Sequence, residues 1–124
     1  MCSKRPLDAS VVLIVEDDDL VRMNAVEMLE DAGLTVTEAC NADEAWGILE
    51  QRTDIGVLFT DIDMPGSMCG KTLAEHVHAS WPDIRLVLTS GRHRLTDEEV
   101  PDHGLFVSKP YRFRDVLKAI AQAR

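Results

Sequence analysis

Four apolar runs each end on a residue that can do chemistry. "VVLIV" is followed by Glu16 and Asp17, "IGVLFT" by Asp61, "IRLVL" by Thr89 and Ser90, and "GLFVS" by Lys109. Brought together, three carboxylates within about 5 Å would repel by roughly 3 kcal/mol per pair at an effective dielectric near 20. Such a group needs raised pKa values or a cation. Oxygen donors with no His or Cys among them select a hard ion, and Mg²⁺ suits best because it takes one or two carboxylates and keeps its waters. A lysine facing the acids leaves room for a phosphoryl group between ammonium and metal. A carboxylate held there can act as the nucleophile that accepts it.

The elements that must position these residues can be read from periodicity. Val11–Val15 is β-branched and apolar on both faces, which predicts a strand covered on each side. A helical pattern runs from Asp19 to Ala32, with Leu20, Met23, Met28 and Leu29 at helical spacing, Asp19 as its cap, Asp18 solvated and Gly33 as terminator. Leu34–Ala39 reads as a second strand. Asn41 is placed to cap the next helix, with Glu44 as its box partner. Ile55–Thr60, Ile84–Ser90 and Gly104–Ser108 read as further strands, and helices are expected over about Lys71–Ser80 and over 112–123. In the last helix Phe113, Val116, Leu117, Ile120 and Ala121 share the apolar face. Between Ser90 and Lys109 the pattern leaves room for one helical turn at most before Pro101.

Strands alternating with helices predict an α/β fold, a doubly wound five-stranded parallel sheet with helices on both faces and its fourth helix short or missing. Ligands of such sheets sit at the carboxyl ends of the strands. That is the edge to which Glu16, Asp17, Asp61, Thr89, Ser90 and Lys109 are delivered.

Composition narrows the function. The 124 residues suffice for one domain, read as 10–124 behind a flexible tail at 1–9. A net charge of −9 opposes nucleic acid and anionic membranes as partners. No apolar run approaches the roughly 20 residues that span a bilayer, and the first residues lack a signal peptide's apolar stretch. The 3 cysteines match no zinc spacing and are expected to be reduced thiols of a cytoplasmic protein.

The segments "LIVEDD", "LFTDIDMPG", "LTSG" and "FVSKP", in this order, resemble the receiver domains of bacterial two-component response regulators over about residues 10–123. The resemblance implies the flavodoxin-like strand order 2-1-3-4-5. It implies that Asp61 is the phosphoacceptor and that Mg²⁺ is held by Asp17, Asp61, Glu16 acting mainly through water, and the backbone carbonyl of Asp63. It further implies that Lys109 contacts the phosphoryl oxygens, that Lys109–Pro110 is cis and aims the lysine inward, and that Ser90 (Thr89 being the alternative) closes on the phosphate while Phe106 shifts with it. The implied donor is a sensor histidine kinase or a histidine phosphotransfer protein. The domain would catalyse only its own phosphorylation and dephosphorylation. Output would pass to an unidentified protein, with a phosphorylation-dependent homodimer left open.

Three features depart from the family pattern, one being a stretch between Ser90 and Lys109 shorter than usual, which leaves the fourth helix one turn or absent. "MPGSMCG" is one residue longer than the common loop and carries Cys69 where an acid is frequent, and Asp63 adds a carboxylate two positions after the acceptor. The alternatives are a phosphate-independent interaction module of the same fold, and a haloacid-dehalogenase-type phosphatase suggested by "DID" alone.

Overall fold

The computed structural model describes residues 11–63, 69–91 and 104–122. Among the described residues strands and helices alternate as far as β4, which β5 follows directly: β1 (Val11–Val15), α1 (Asp19–Asp31), β2 (Thr35–Ala39), α2 (Ala42–Gln51), β3 (Ile55–Asp61), α3 (Gly70–Ser80), β4 (Arg85–Ser90), β5 (Leu105–Ser108) and α4 (Phe113–Gln122). All pairings are parallel, as the alternation of strands and helices predicts, and the order β2-β1-β3-β4-β5 is the one the resemblance implies. The expected tail at 1–9, the loop at 64–68 and the expected short helix within 92–103 lie outside the described residues.

Alternation along each strand feeds two cores. Leu13, Leu58, Leu86 and Leu88 pack with Leu49 of α2 and Leu73 and Val77 of α3. Ile14, Phe59, Val87 and Val107 pack on the opposite face with Leu29 of α1 and Val116 and Ile120 of α4. Every residue of β1 is buried, so its five-residue apolar run is the inside of a layered sheet. Full burial of side chains such as Phe59 and Leu58 contributes roughly 1.5–3 kcal/mol each. The register shifts once, between Val11 and Val12 of β1, where Gly56 of β3 is passed over.

Helix ends are fixed by short-range hydrogen bonds. Asp18, not Asp19, caps α1: its carboxylate accepts from the N–H groups of Leu20 and Val21 at 2.9 and 3.1 Å. Asp19 stands in the first turn and binds Arg22. Leu20 and Met23 were expected on the apolar face. They are 67% and 61% exposed instead, because the helix turns Ala25 and Leu29 to the sheet. Ala121 of α4 is likewise exposed, and Ala119 takes its place in the core. Asn41 caps α2 as expected, with Glu44 bonding back to the Cys40 N–H.

Gly33 ends α1 with φ at +91°. Its N–H reaches Glu30 O and that of Leu34 reaches Leu29 O, the paired closure that needs a left-handed residue. A Cβ there would touch nothing within 4 Å, so any cost of adding one is conformational. Gly33→Ala is therefore expected to lower stability by about 1 kcal/mol. Urea unfolding should show a lower midpoint at unchanged slope; an unchanged midpoint would contradict the backbone argument.

Candidate functional site at the carboxyl edge of the sheet

The strand order puts β1 and β3 side by side at the centre, so their tips bring Glu16, Asp17 and Asp61 together. One carboxylate oxygen of each lies within 4.8 Å of the others. Glu16 and Asp61 are buried, at 4% and 3% exposure, while Asp17 faces solvent. Among the described residues this is the one group of three or more acid, His or Cys side chains with metal-holding geometry. Its donors are all oxygen, the set that fits a hard divalent ion.

β5 lies two strands from β3, and its end delivers Lys109 across that gap. The Lys109 N–H donates to Ser90 O at 3.0 Å, and the Lys109–Pro110 peptide is cis, as expected. Lys109 Nζ lies 2.7 Å from Glu16 Oε1 and 3.0 Å from Asp61 Oδ2. Glu16 Oε2 accepts from the Asp18 N–H at 3.1 Å. Burial holds the Glu16 carboxyl above its ordinary pKa, against the lowering effect of Lys109. Burial also pushes Lys109 down, but its bonds to Glu16 and Asp61 outweigh that and leave it raised. Lys109 is therefore a fixed positive charge at neutral pH.

Asp61 is the last residue of β3, one further than the apolar run suggested. Both its oxygens are engaged: Oδ2 with Lys109, Oδ1 with the Asp63 N–H at 3.0 Å. Ser90 Oγ donates to Asp63 Oδ2 at 2.5 Å. Thr89 pairs with Asp61 in register and is buried, its hydroxyl without a hydrogen-bond partner among the described residues. Phe106 is half-buried and packs on the core that holds Leu86 and Leu88.

Sequence reasoning passed over two residues that hold this edge. Arg22 of α1 donates to Glu16 O at 2.9 Å, Glu38 Oε1 at 2.9 Å and Asp19 Oδ1 at 2.7 Å, so it ties the tips of β1 and β2 to the helix between them. An arginine five residues after the acid pair carries no signal by itself, since most helical arginines are solvated. Gly70 opens α3 directly beneath the end of β3, with its N–H on Ile62 O at 3.1 Å. A Cβ on Gly70 would stand 1.9 Å from Asp61 O and 2.7 Å from Asp61 C. Its place a few residues beyond Pro65 was the available clue.

With fold and edge defined, comparison with known proteins is direct. A model described as the response regulator receiver domain matches residues 12–121, and the chain belongs to that family. It is a receiver domain of two-component signalling. Sensor kinase CckA of Brucella abortus (strain 2308) is 38% identical over 84 residues, 67% of this chain but 9% of that protein. The receiver protein CpdR of the same organism is 32% identical over 112 residues, covering 88% of this chain and 92% of CpdR. The chain thus spans about a tenth of the kinases it matches, 11% in the case of hybrid signal transduction histidine kinase K of Dictyostelium discoideum. Among solved structures, the receiver domain of hybrid histidine kinase CckA superposes with a TM-score of 0.77 at 28% identity, covering 91% of this chain and 97% of that one. A CheY-like receiver domain from Methanospirillum hungatei JF-1 gives 0.80 at 26% identity, covering 91% of each.

The close approach of Gly70 makes a sharp prediction. Gly70→Ala should lower stability by about 3 kcal/mol and move the amide resonances of Asp61 and Ile62. Gly47→Ala, where a Cβ would meet nothing within 4 Å, should leave both unchanged or raise stability slightly. Equal behaviour of the two variants would contradict the packing described.

Proposed function

We propose that Asp61 accepts a phosphoryl group in a Mg²⁺-dependent reaction. The donor is a phosphohistidine of a sensor histidine kinase or histidine phosphotransfer protein. The observation that carries this reading is Lys109 Nζ lying 3.0 Å from Asp61 Oδ2 while Asp61 also shares the three-carboxylate cluster. The nucleophile thus has one fixed cation beside it and the ligands for another.

In the transfer, one Asp61 oxygen attacks phosphorus in line with the scissile P–N bond. The O–P bond forms, the P–N bond breaks, and the donor imidazole leaves. The Asp63 N–H and Lys109 orient the acceptor carboxylate beforehand, which removes part of the entropic barrier. Lys109 then meets the charge on the phosphoryl oxygens as the transition state spreads it. Asp17 and Asp61, with the Asp63 carbonyl, would hold Mg²⁺, and Glu16 would act on it mainly through water. When bound, the ion supplies a second positive charge on the transferring oxygens. The protein so described acts only on itself, promoting its own phosphorylation and dephosphorylation.

Switching uses the same groups. Ser90 takes the role of the hydroxyl that closes on the phosphoryl group, because it stands beside Asp63 and Lys109 at the end of β4. Phe106, half-buried on the adjacent strand, moves with it, and the surface equilibrium shifts with them. Output is by protein contact, to a partner of unassigned identity or a second copy of the domain. Among the described residues no helix is long and apolar enough to cross a membrane, which accords with the cytoplasmic placement we propose.

Intact-mass measurement after treatment with a small phosphodonor tests the assignment. The wild type should gain one phosphoryl group with Mg²⁺ and none with chelator, and Asp61→Asn should gain none in either case. The same gain in Asp61→Asn, or gain without a divalent ion, would overturn it. So would no gain with Mg²⁺, the outcome that a phosphate-independent interaction module predicts.

A further inference from the structure

Two of the hydrogen bonds of Asp63 join groups of different purpose. Its N–H donates to Asp61 Oδ1 at 3.0 Å, and its Oδ2 accepts from Ser90 Oγ at 2.5 Å. Ser90 is 2% exposed and its carbonyl accepts from the Lys109 N–H at 3.0 Å. A serine hydroxyl has one proton to donate. Here that proton is directed to a carboxylate, the stronger kind of acceptor, in a place where water cannot easily substitute.

The consequence rests on the reading of Asp61 as phosphoacceptor. For Ser90 to bind a phosphoryl oxygen, its proton must leave Asp63. A phosphoryl group on Asp61 would also set a dianion near the Asp63 carboxylate, and like charges disfavour that arrangement. Both effects act on one hydrogen bond. We propose that Asp63 is a positioning residue whose carboxylate latches the Ser90 hydroxyl in the resting domain, so that phosphorylation must displace it before the switch can close. The latch biases the equilibrium toward the resting arrangement, and its strength sets how far a given phosphoryl group can shift it.

Two measurements test this. In metal-free protein, NMR should show the Ser90 Cβ and Gly91 amide signals moved by Asp63→Ala and less moved by Asp63→Asn, which keeps an acceptor oxygen. With Mg²⁺ present, affinity for beryllofluoride, a stable mimic of an aspartyl phosphate, should rise at least threefold in Asp63→Ala. The rise should be smaller in Asp63→Asn, and it should vanish when Ser90→Ala is already present, as a double-mutant cycle requires.

Simple charge repulsion gives a different pattern: Asp63→Asn would equal Asp63→Ala, and the gain would persist without the Ser90 hydroxyl. Either result overturns the latch, as does no gain, or Ser90 signals indifferent to Asp63→Ala in metal-free protein. The spectra need no Ser90 variant, so they decide the matter even where Ser90→Ala fails to fold. A wild type that binds no beryllofluoride counts against Asp61 as acceptor, and the metal-free spectra then decide the latch alone.

Discussion

A single ammonium group holds the functional edge together. Lys109 Nζ contacts Glu16 and Asp61, two carboxylates whose side chains are only 5% and 4% exposed. Without a cation, two buried acids this close would favour protonation of one of them or local opening. The lysine makes their proximity tolerable in the resting protein, while burial still holds the Glu16 carboxyl above its ordinary pKa. A divalent ion is suited to offset what burying the two carboxylates still costs.

The rest of the fold serves to bring Lys109 within reach. Its chain leaves β5, two strands away from β3, and its main-chain N–H is anchored on Ser90 O. Parallel register then matters, because Asp61 pairs with Thr89 and Ser90 with Ser108. Asp61 and the hydroxyls thereby share one end of the sheet with the lysine. On the opposite flank Arg22 fixes the carbonyl of Glu16, and from below Gly70 supports the Asp61 backbone at a distance that only a hydrogen side chain permits. Asp63 links Asp61 to Ser90, so a change at the Asp61 carboxylate has a short route to β4.

Most of this was legible in the chain because strand ends are legible. Uninterrupted apolar runs such as Val11–Val15 report burial on both faces, and the residues just past each run must stand at an edge. The acids, hydroxyls and lysine could be placed there before any coordinates. The features that stayed hidden depended on angles and reach. Which of three consecutive aspartates caps α1 turns on one residue's backbone conformation, and Asp18 has the extended one. Leu20 and Met23 fit a helical period but lie on the wrong side of it, since periodicity fixes spacing and not rotation about the axis. The Arg22 contacts depend on a long side chain crossing between elements, and the pairing of Ser90 with Asp63 joins residues 27 apart. Neither leaves a local trace.

The balance between Lys109 and its two acids can be measured directly by urea unfolding of wild type and Lys109→Met, each with and without Mg²⁺. Removing the ammonium leaves Glu16 and Asp61 buried together without a cation. The metal-free variant should therefore lose about 3 kcal/mol or more, and saturating Mg²⁺ should stabilise it by more than it stabilises the wild type. A variant as stable as the wild type without metal, and no more responsive to the ion, would contradict the account.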